Sequence, residues 1–390
     1  MTQTKRPAVA DHIADLPPSG IREFFDLVTT LEDVVSLGVG EPDFPTPWHI
    51  CDEVYDSFRR GFTSYTSNLG MIELRQEISK SLSQSYGADY NPDDEIIVTV
   101  GVSEAIDVGL RAILNPGDEV IVPDPCFVSY APTVKLAGGV PVLAPMTEAD
   151  AFKLNPNVVR GLLTERTRAI LMGFPNNPTG SVMTRGELAE IAQIAEENDL
   201  IVLSDEIYDK LTYEGEHCCF PTLPGMAERT ILLNGFSKSY AMTGWRIGYA
   251  CGPKDIINAM VTIHSYTMMS APTPAQVAGL EALKKGDPDV ARMKAEYDQR
   301  RRYLLQGLRD IGLGCFEPLG AFYVFPNITS TGLTSDAFAR QLVQAERVAV
   351  VPGPVFGPSA EGHVRATYAT SMDNLKEALT RTERFLGTLS

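Results

Sequence analysis

Five short apolar runs in this sequence each end in residues that could do chemistry. After 96–100 (IIVTV) comes Gly101-Val102-Ser103, opening a helical pattern. After 119–122 (EVIV) comes Pro123-Asp124-Pro125-Cys126-Phe127, and after 169–172 (AILM) comes Gly173-Phe174-Pro175-Asn176-Asn177. After 200–203 (LIVL) come Ser204-Asp205-Glu206-Ile207-Tyr208, and after 231–233 (ILL) come Asn234-Gly235-Phe236-Ser237-Lys238. Backbone amides at 102–103 with the Ser103 hydroxyl can hold a phosphate at a helix start. Phe127 can stack on a ring. A buried Asp205 can pair with a protonated ring nitrogen and keep it charged. Asn177 and Tyr208 can hydrogen-bond a ring oxygen. Lys238 can form a Schiff base if its surroundings bring its pKa well below about 10. Arg246, at the start of the next apolar run, can grip a phosphate with two bonds. Together these groups suit a phosphorylated, aromatic, nitrogen-containing cofactor that carries an aldehyde.

The elements that must position them follow from the pattern. The apolar runs, with 140–143 (VPVL) and 246–250 (RIGYA), are too continuous for half-exposed strands. Helical spacings at 103–114, 129–137, 157–164 and 185–198 separate them. That alternation predicts an α/β fold: a large, mostly parallel sheet covered by helices on both faces, with ligands beyond the carboxyl ends of its strands. Toward the C-terminus the order changes. Helical patterns at 290–311, 335–345 and 373–386 mix with strand patterns at 321–325, 348–351 and 363–368, which predicts a smaller α+β domain. We expect residues 1–44 to join that smaller domain, 45–286 to form the large one, and 287–390 to complete the small one.

With 390 residues, 44% of them hydrophobic, the chain can build a sizeable core. Its 33 Lys and Arg against 50 Asp and Glu give a net charge of −17. That balance argues against nucleic acid or anionic membranes as partners and requires a local cation for any anionic substrate. No apolar run has the length of a membrane span or a signal peptide. The six cysteines form no C-x-x-C pair and read as free thiols in a reducing, cytoplasmic compartment. His217, Cys218 and Cys219 are adjacent and read as structural, so no metal is expected.

The chain resembles the pyridoxal-phosphate aminotransferases of the aspartate-aminotransferase-like superfamily, fold type I. The motifs that carry the resemblance are SLGVGEPDFPTP at 36–47, PDPCFVSY at 123–130, NNPTG at 176–180, SDEIY at 204–208, SKSYAMTGWRIGY at 237–249 and VRATYATS at 364–371. The stretches SGIREFFDL and FTSYTSNLGMIELRQEI point to the prokaryotic branch with aspartate, aromatic and acyl-diaminopimelate aminotransferases. The resemblance implies a seven-stranded large sheet and a homodimer with shared active sites. It implies pyridoxal 5'-phosphate bonded to Lys238, with Asp205 on the ring nitrogen and Asn177 and Tyr208 on the ring oxygen. Val102, Ser103, Ser237 and Arg246 would hold the phosphate, and Tyr65 would reach the phosphate of the neighbouring subunit. Arg365 would clamp the substrate α-carboxylate with the Gly40 backbone nearby, and Phe127 and Asn177 would also face substrate.

The sequence departs from its relatives in places. Gly235 stands where many carry Ser, three residues before the lysine, which leaves Ser237 as the hydroxyl to take its place. Phe127 replaces a Trp or Tyr. Ser103 stands where some relatives that take aspartate have Lys, so recognition of a second carboxylate is unassigned; Arg22 is a candidate for it. His264 reads as a structural histidine, and Tyr266 precedes a segment near the subunit boundary. The activity implied is transfer of an amino group from an L-amino acid to a 2-oxo acid, with 2-oxoglutarate as acceptor. Two alternatives are a carbon–sulfur β-lyase on the same fold, which would release ammonia and pyruvate from cystathionine without a 2-oxo acid, and a non-enzymatic regulator. The regulator would need a DNA-binding segment for which the residues before Ser36 are too few.

Overall fold

A computed structural model describes residues 8–14, 16, 20 and 31–389. Its centre is a seven-stranded sheet in the order β2-β8-β7-β6-β5-β3-β4. The strands are β2 (Ile96–Thr99), β3 (Glu119–Asp124), β4 (Val140–Pro145), β5 (Thr167–Gly173), β6 (Ile201–Asp205), β7 (Thr230–Gly235) and β8 (Gly248–Cys251). β4, β3, β5, β6 and β7 run parallel, while β8 runs antiparallel to both β7 and β2. Six of the seven strands are buried because helices cover both faces; β4, at the sheet edge, is not the buried run expected at 140–143, since Val140 and Leu143 are 44% and 37% exposed there. Helix Gly101–Ile113 buries Ala105, Ile106, Val108 and Leu110 on one side, and helix Arg185–Glu197 buries Leu188, Ile191, Ala192 and Ala195 on the other. The second helix starts on a capping box between Thr184 and Glu187.

The smaller domain is built on β9 (Tyr323–Val324), β11 (Val351–Pro352) and β12 (Val364–Thr367), in the order β11-β12-β9, all antiparallel. Helices Asp287–Asp310, Ser335–Glu346 and Met372–Gly387 cover it and share one apolar core with it. Beside it, β1 (Val35–Ser36) pairs in parallel with β10 (Val348–Ala349), and Leu37 packs into the same apolar core.

The expected elements are present with three differences. The run 348–351 divides into β10 and β11, which pair with different partners in different sheets, so it cannot continue as one strand. The run 246–250 starts its strand at Gly248, because Arg246 takes a left-handed φ of 53° that no strand residue can hold. Of 321–325 only Tyr323–Val324 is strand, since Ala321 likewise has a positive φ of 58°. Helices Trp48–Arg59, Ile72–Tyr86, Lys254–Thr267 and Thr273–Lys285 were not read from the sequence. Among the described residues no helix is long and apolar enough to cross a membrane.

Candidate active site

A cavity of about 410 Å³ opens where the carboxyl ends of β3, β5, β6 and β7 meet the smaller domain. Gly40, Val102, Ser103, Phe127, Asn177, Asp205, Tyr208, Ser237, Lys238, Arg246 and Arg365 all line it. Phe127, Asn177, Tyr208 and Lys238 lie three or four residues beyond the buried strands β3, β5, β6 and β7, Asp205 ends β6, and Arg365 lies within β12. β8 is reversed, so it offers the cavity its beginning, where Arg246 stands.

Lys238 follows β7 and points across the cavity, its Nζ donating to the Gly40 carbonyl at 2.7 Å. Enclosure by protein pulls its pKa down to about 8, helped by the Arg365 and Arg246 cations and opposed by Glu41 and Asp205. Asp205 ends β6 and is 6% exposed. Burial pushes its pKa up to about 6, although Tyr130 donates to its Oδ2 at 2.8 Å and the Ile207 amide to its Oδ1 at 3.2 Å. The two groups face the same space with their pKa values drawn toward each other, the pattern of a reactive site more than of a structural ion pair.

Arg365 enters from β12 and is almost wholly buried. Its Nη1 donates to Asn177 Oδ1 at 2.9 Å and its Nη2 to the Gly38 carbonyl at 2.7 Å. Its Nε is buried with no hydrogen-bond partner among the described residues. The guanidinium lies between the rings of Tyr323 and Phe356, 4.5 and 4.6 Å from their centroids. Tyr208 shares a 2.9 Å hydrogen bond with the Tyr323 hydroxyl. Phe127 meets Tyr130 edge to face. Arg246 Nη1 donates to the Thr243 carbonyl at 2.9 Å, and its Nη2 lies so near Gly101 that a Cβ there would come within 2.7 Å of it.

Tyr65 is not brought to the cavity within one chain; it is 81% exposed. Arg22 lies outside the described residues. His264 is buried against Glu104, while Tyr266 is exposed. His217 hydrogen-bonds Glu206 at 2.6 Å and Cys218 meets Arg185. Gly235 faces Gly248 across the β7–β8 pair, and a Cβ on it would lie 2.9 Å from the Gly248 Cα. A side chain at 235 would therefore meet the β8 backbone. Tyr130 and Tyr323 line the cavity and were not singled out from the sequence. Tyr130 carried a signal, three residues after Phe127 in the same motif; Tyr323 lay inside a run that reads as plain strand core.

A family model described as aminotransferase class I and II matches residues 32–381. The chain is 52% identical over 378 residues to YugH of Bacillus subtilis (strain 168), a protein named as an aminotransferase, with 97% of this chain and 98% of that protein covered. It is 44% identical over 382 residues to an aspartate aminotransferase of Pyrococcus abyssi (strain GE5 / Orsay), with 97% and 98% covered. The solved structure of aspartate aminotransferase from Thermus thermophilus with maleate superposes on it with a TM-score of 0.93 at 40% identity, covering 97% of this chain and 99% of that one. Likeness of this extent, in sequence and in backbone, makes the chain a member of the class I and II aminotransferase family and a pyridoxal-phosphate-dependent aminotransferase.

Proposed function

We propose that the protein moves an amino group from an L-amino acid to 2-oxoglutarate through pyridoxal 5'-phosphate held on Lys238. The observation that carries this proposal is the Lys238 amine, brought by enclosure to a pKa of about 8 in the same cavity as the buried Asp205 carboxylate.

The residues present suit the cofactor. At the deep end, Asp205 receives one bond on each oxygen and keeps lone pairs for a ring N–H. Tyr208 and Asn177 offer polar groups to a ring oxygen, and Phe127 offers a ring face. At the other end, the amides of Val102 and Ser103, the hydroxyls of Ser103 and Ser237, and Arg246 make a place for a phosphate. Gly101 is what lets the guanidinium come so close to that helix start.

When bound, the cofactor supplies an aldehyde that takes up the amine and a ring that draws electrons from the α-carbon. Lys238 Nζ does the proton work: it removes the proton from the substrate α-carbon and gives it back, as base and then as acid. A pKa of about 8 lets it serve both ways near neutral pH. Asp205, ionised above about pH 6, holds a proton on the ring nitrogen. Arg365 orients the substrate by a two-bond grip on its α-carboxylate, beside the Gly40 carbonyl, and the rings of Tyr323 and Phe356 keep water from the guanidinium.

The proposal includes a cytoplasmic homodimer with shared sites, in which Tyr65 reaches the partner's phosphate. Its support is the exposure of Tyr65 and Tyr266 on neighbouring segments, tied by Asn68 to Ser265 at 2.6 Å and Gln276 to Thr66 at 2.8 Å. It also places 1–44 and 287–390 in the smaller domain and 45–286 in the larger, supported by the β1–β10 pair.

Borohydride reduction followed by tryptic mapping should find the cofactor on Lys238, and a panel of amino donors with 2-oxoglutarate should yield glutamate. Label on another lysine, or no glutamate from any donor, would overturn the proposal. Ammonia and pyruvate from cystathionine without a 2-oxo acid would turn it into the β-lyase.

A further inference from the structure

The helix Gly101–Ile113 starts without a side-chain cap. Its N-cap residue is Val100, whose side chain has no oxygen to offer. An Asp or Ser at that place would bond the amides of the second and third helical residues, here Val102 and Ser103. Val100 leaves both amides without a side-chain cap, on residues that line the cavity. The first turn then takes its hold from something other than its N-cap side chain.

Glu104 provides it from inside the first turn. It is 9% exposed, and its Oε2 accepts the Val100 backbone N–H. Its Oε1 lies 2.6 Å from Nδ1 of His264, which is fully buried on helix Lys254–Thr267. The Nε2 of His264 has no partner among the described residues. With the proton on Nδ1, that ring donates to Glu104 and leaves only a lone pair unsatisfied, which costs less than a buried, unpaired N–H. On the opposite side, Gly248 lies so close that a Cβ on it would come 2.7 Å from the Val102 nitrogen. The Val102 amide is thus confined by β8 on one side and steadied through Glu104 on the other. The same histidine closes its own helix: its carbonyl accepts the amides of Met268 at 2.8 Å and Met269 at 2.9 Å. Its neighbour Ser265 accepts from Asn68, three residues beyond Tyr65.

We propose that Glu104 and His264 are positioning residues for the phosphate end of the cofactor site. They fix the direction of the Val102 and Ser103 amides without using those amides up. The inference rests on the reading of this helix start, with Arg246, as the phosphate holder.

The test compares binding of pyridoxal 5'-phosphate with that of pyridoxal, which lacks the phosphate, to cofactor-free protein, followed by visible absorbance. Glu104→Ala and His264→Leu should each weaken pyridoxal 5'-phosphate about tenfold and pyridoxal less than about twofold, the scale of one hydrogen bond to a charged group. His264→Asn, which keeps a donor at that place, should recover most of the preference. If Glu104→Ala does not fold, His264→Leu with its His264→Asn rescue carries the test. Equal loss for both ligands, or no loss in folded variants, would overturn the proposal. Arg246→Ala separates the two readings: if it leaves the preference for the phosphorylated ligand unchanged, the phosphate assignment itself fails, and if it abolishes the preference while the Glu104 and His264 variants keep it, only the present inference does.

Discussion

Asp205 is held where ionisation is costly, and its partner Tyr130 reduces that cost without removing it. The shift from 3.8 to about 6 corresponds to about 3 kcal/mol against the charged form. The folded-state value lies above the unfolded one, so the contribution is fully present below about pH 4 and is lost as pH rises through about 6. Asp205→Asn should therefore stabilise the cofactor-free protein by about 1–3 kcal/mol at pH 8, and by little near pH 4, in denaturant titrations. The same variant should slow amino transfer by at least about 10²-fold, measured as a half-reaction with one amino acid. A less stable variant at pH 8 would mean that the carboxylate is paid for by contacts other than Tyr130. Lys238, Asp205 and Asn177 were legible as cavity residues because each lies within five residues after an apolar run, at the carboxyl ends where an α/β sheet holds its ligands. Tyr130 and Tyr323 were not, because an aromatic residue in such a place is equally well explained as core; only the fold shows their hydroxyls turned toward the cavity. Glu104 and His264 lie 160 residues apart and nothing in their local pattern joins them.

The reversed strand β8 shapes the site as much as any side chain. A parallel strand between β2 and β7 would bring its far end to the cavity; the reversal brings Arg246. The close approach of β7 and β8 depends on Gly235 facing Gly248. Gly235→Ser, which restores the residue many relatives carry, should cost about 1–3 kcal/mol by driving a Cβ against the Gly248 backbone, and denaturation midpoints will measure it. Tighter cofactor binding with unchanged stability would show that β8 can move aside. At this scale the strand order could not be read from the sequence. Apolar runs tell that strands are buried on both faces, not which neighbours they choose or which way they run. The division of 348–351 between two sheets has the same cause: four apolar residues in a row fit either one strand or two.

The whole molecule leaves Trp48, Tyr55, Tyr65 and Tyr266 exposed, with Tyr266 at 90%. Sedimentation should give about twice 42.5 kDa. Tyr65→Phe should keep that mass while weakening the hold on pyridoxal 5'-phosphate, and an active monomer would remove Tyr65 from its partner's site. A smaller domain beside the large sheet was legible from the change of element order toward the C-terminus, whereas the β1–β10 pair is two residues long, too short a strand to carry a pattern. The bond from Arg365 to the Gly38 carbonyl spans 327 residues. During synthesis, the strand ends around Lys238 are all made once β8 has left the ribosome, while Gly38 must wait for a guanidinium still to be translated. At about 5–20 residues per second, several seconds separate the two events. A nascent chain thus acquires Lys238 and the strands around it before it acquires the arginine that bonds Gly38.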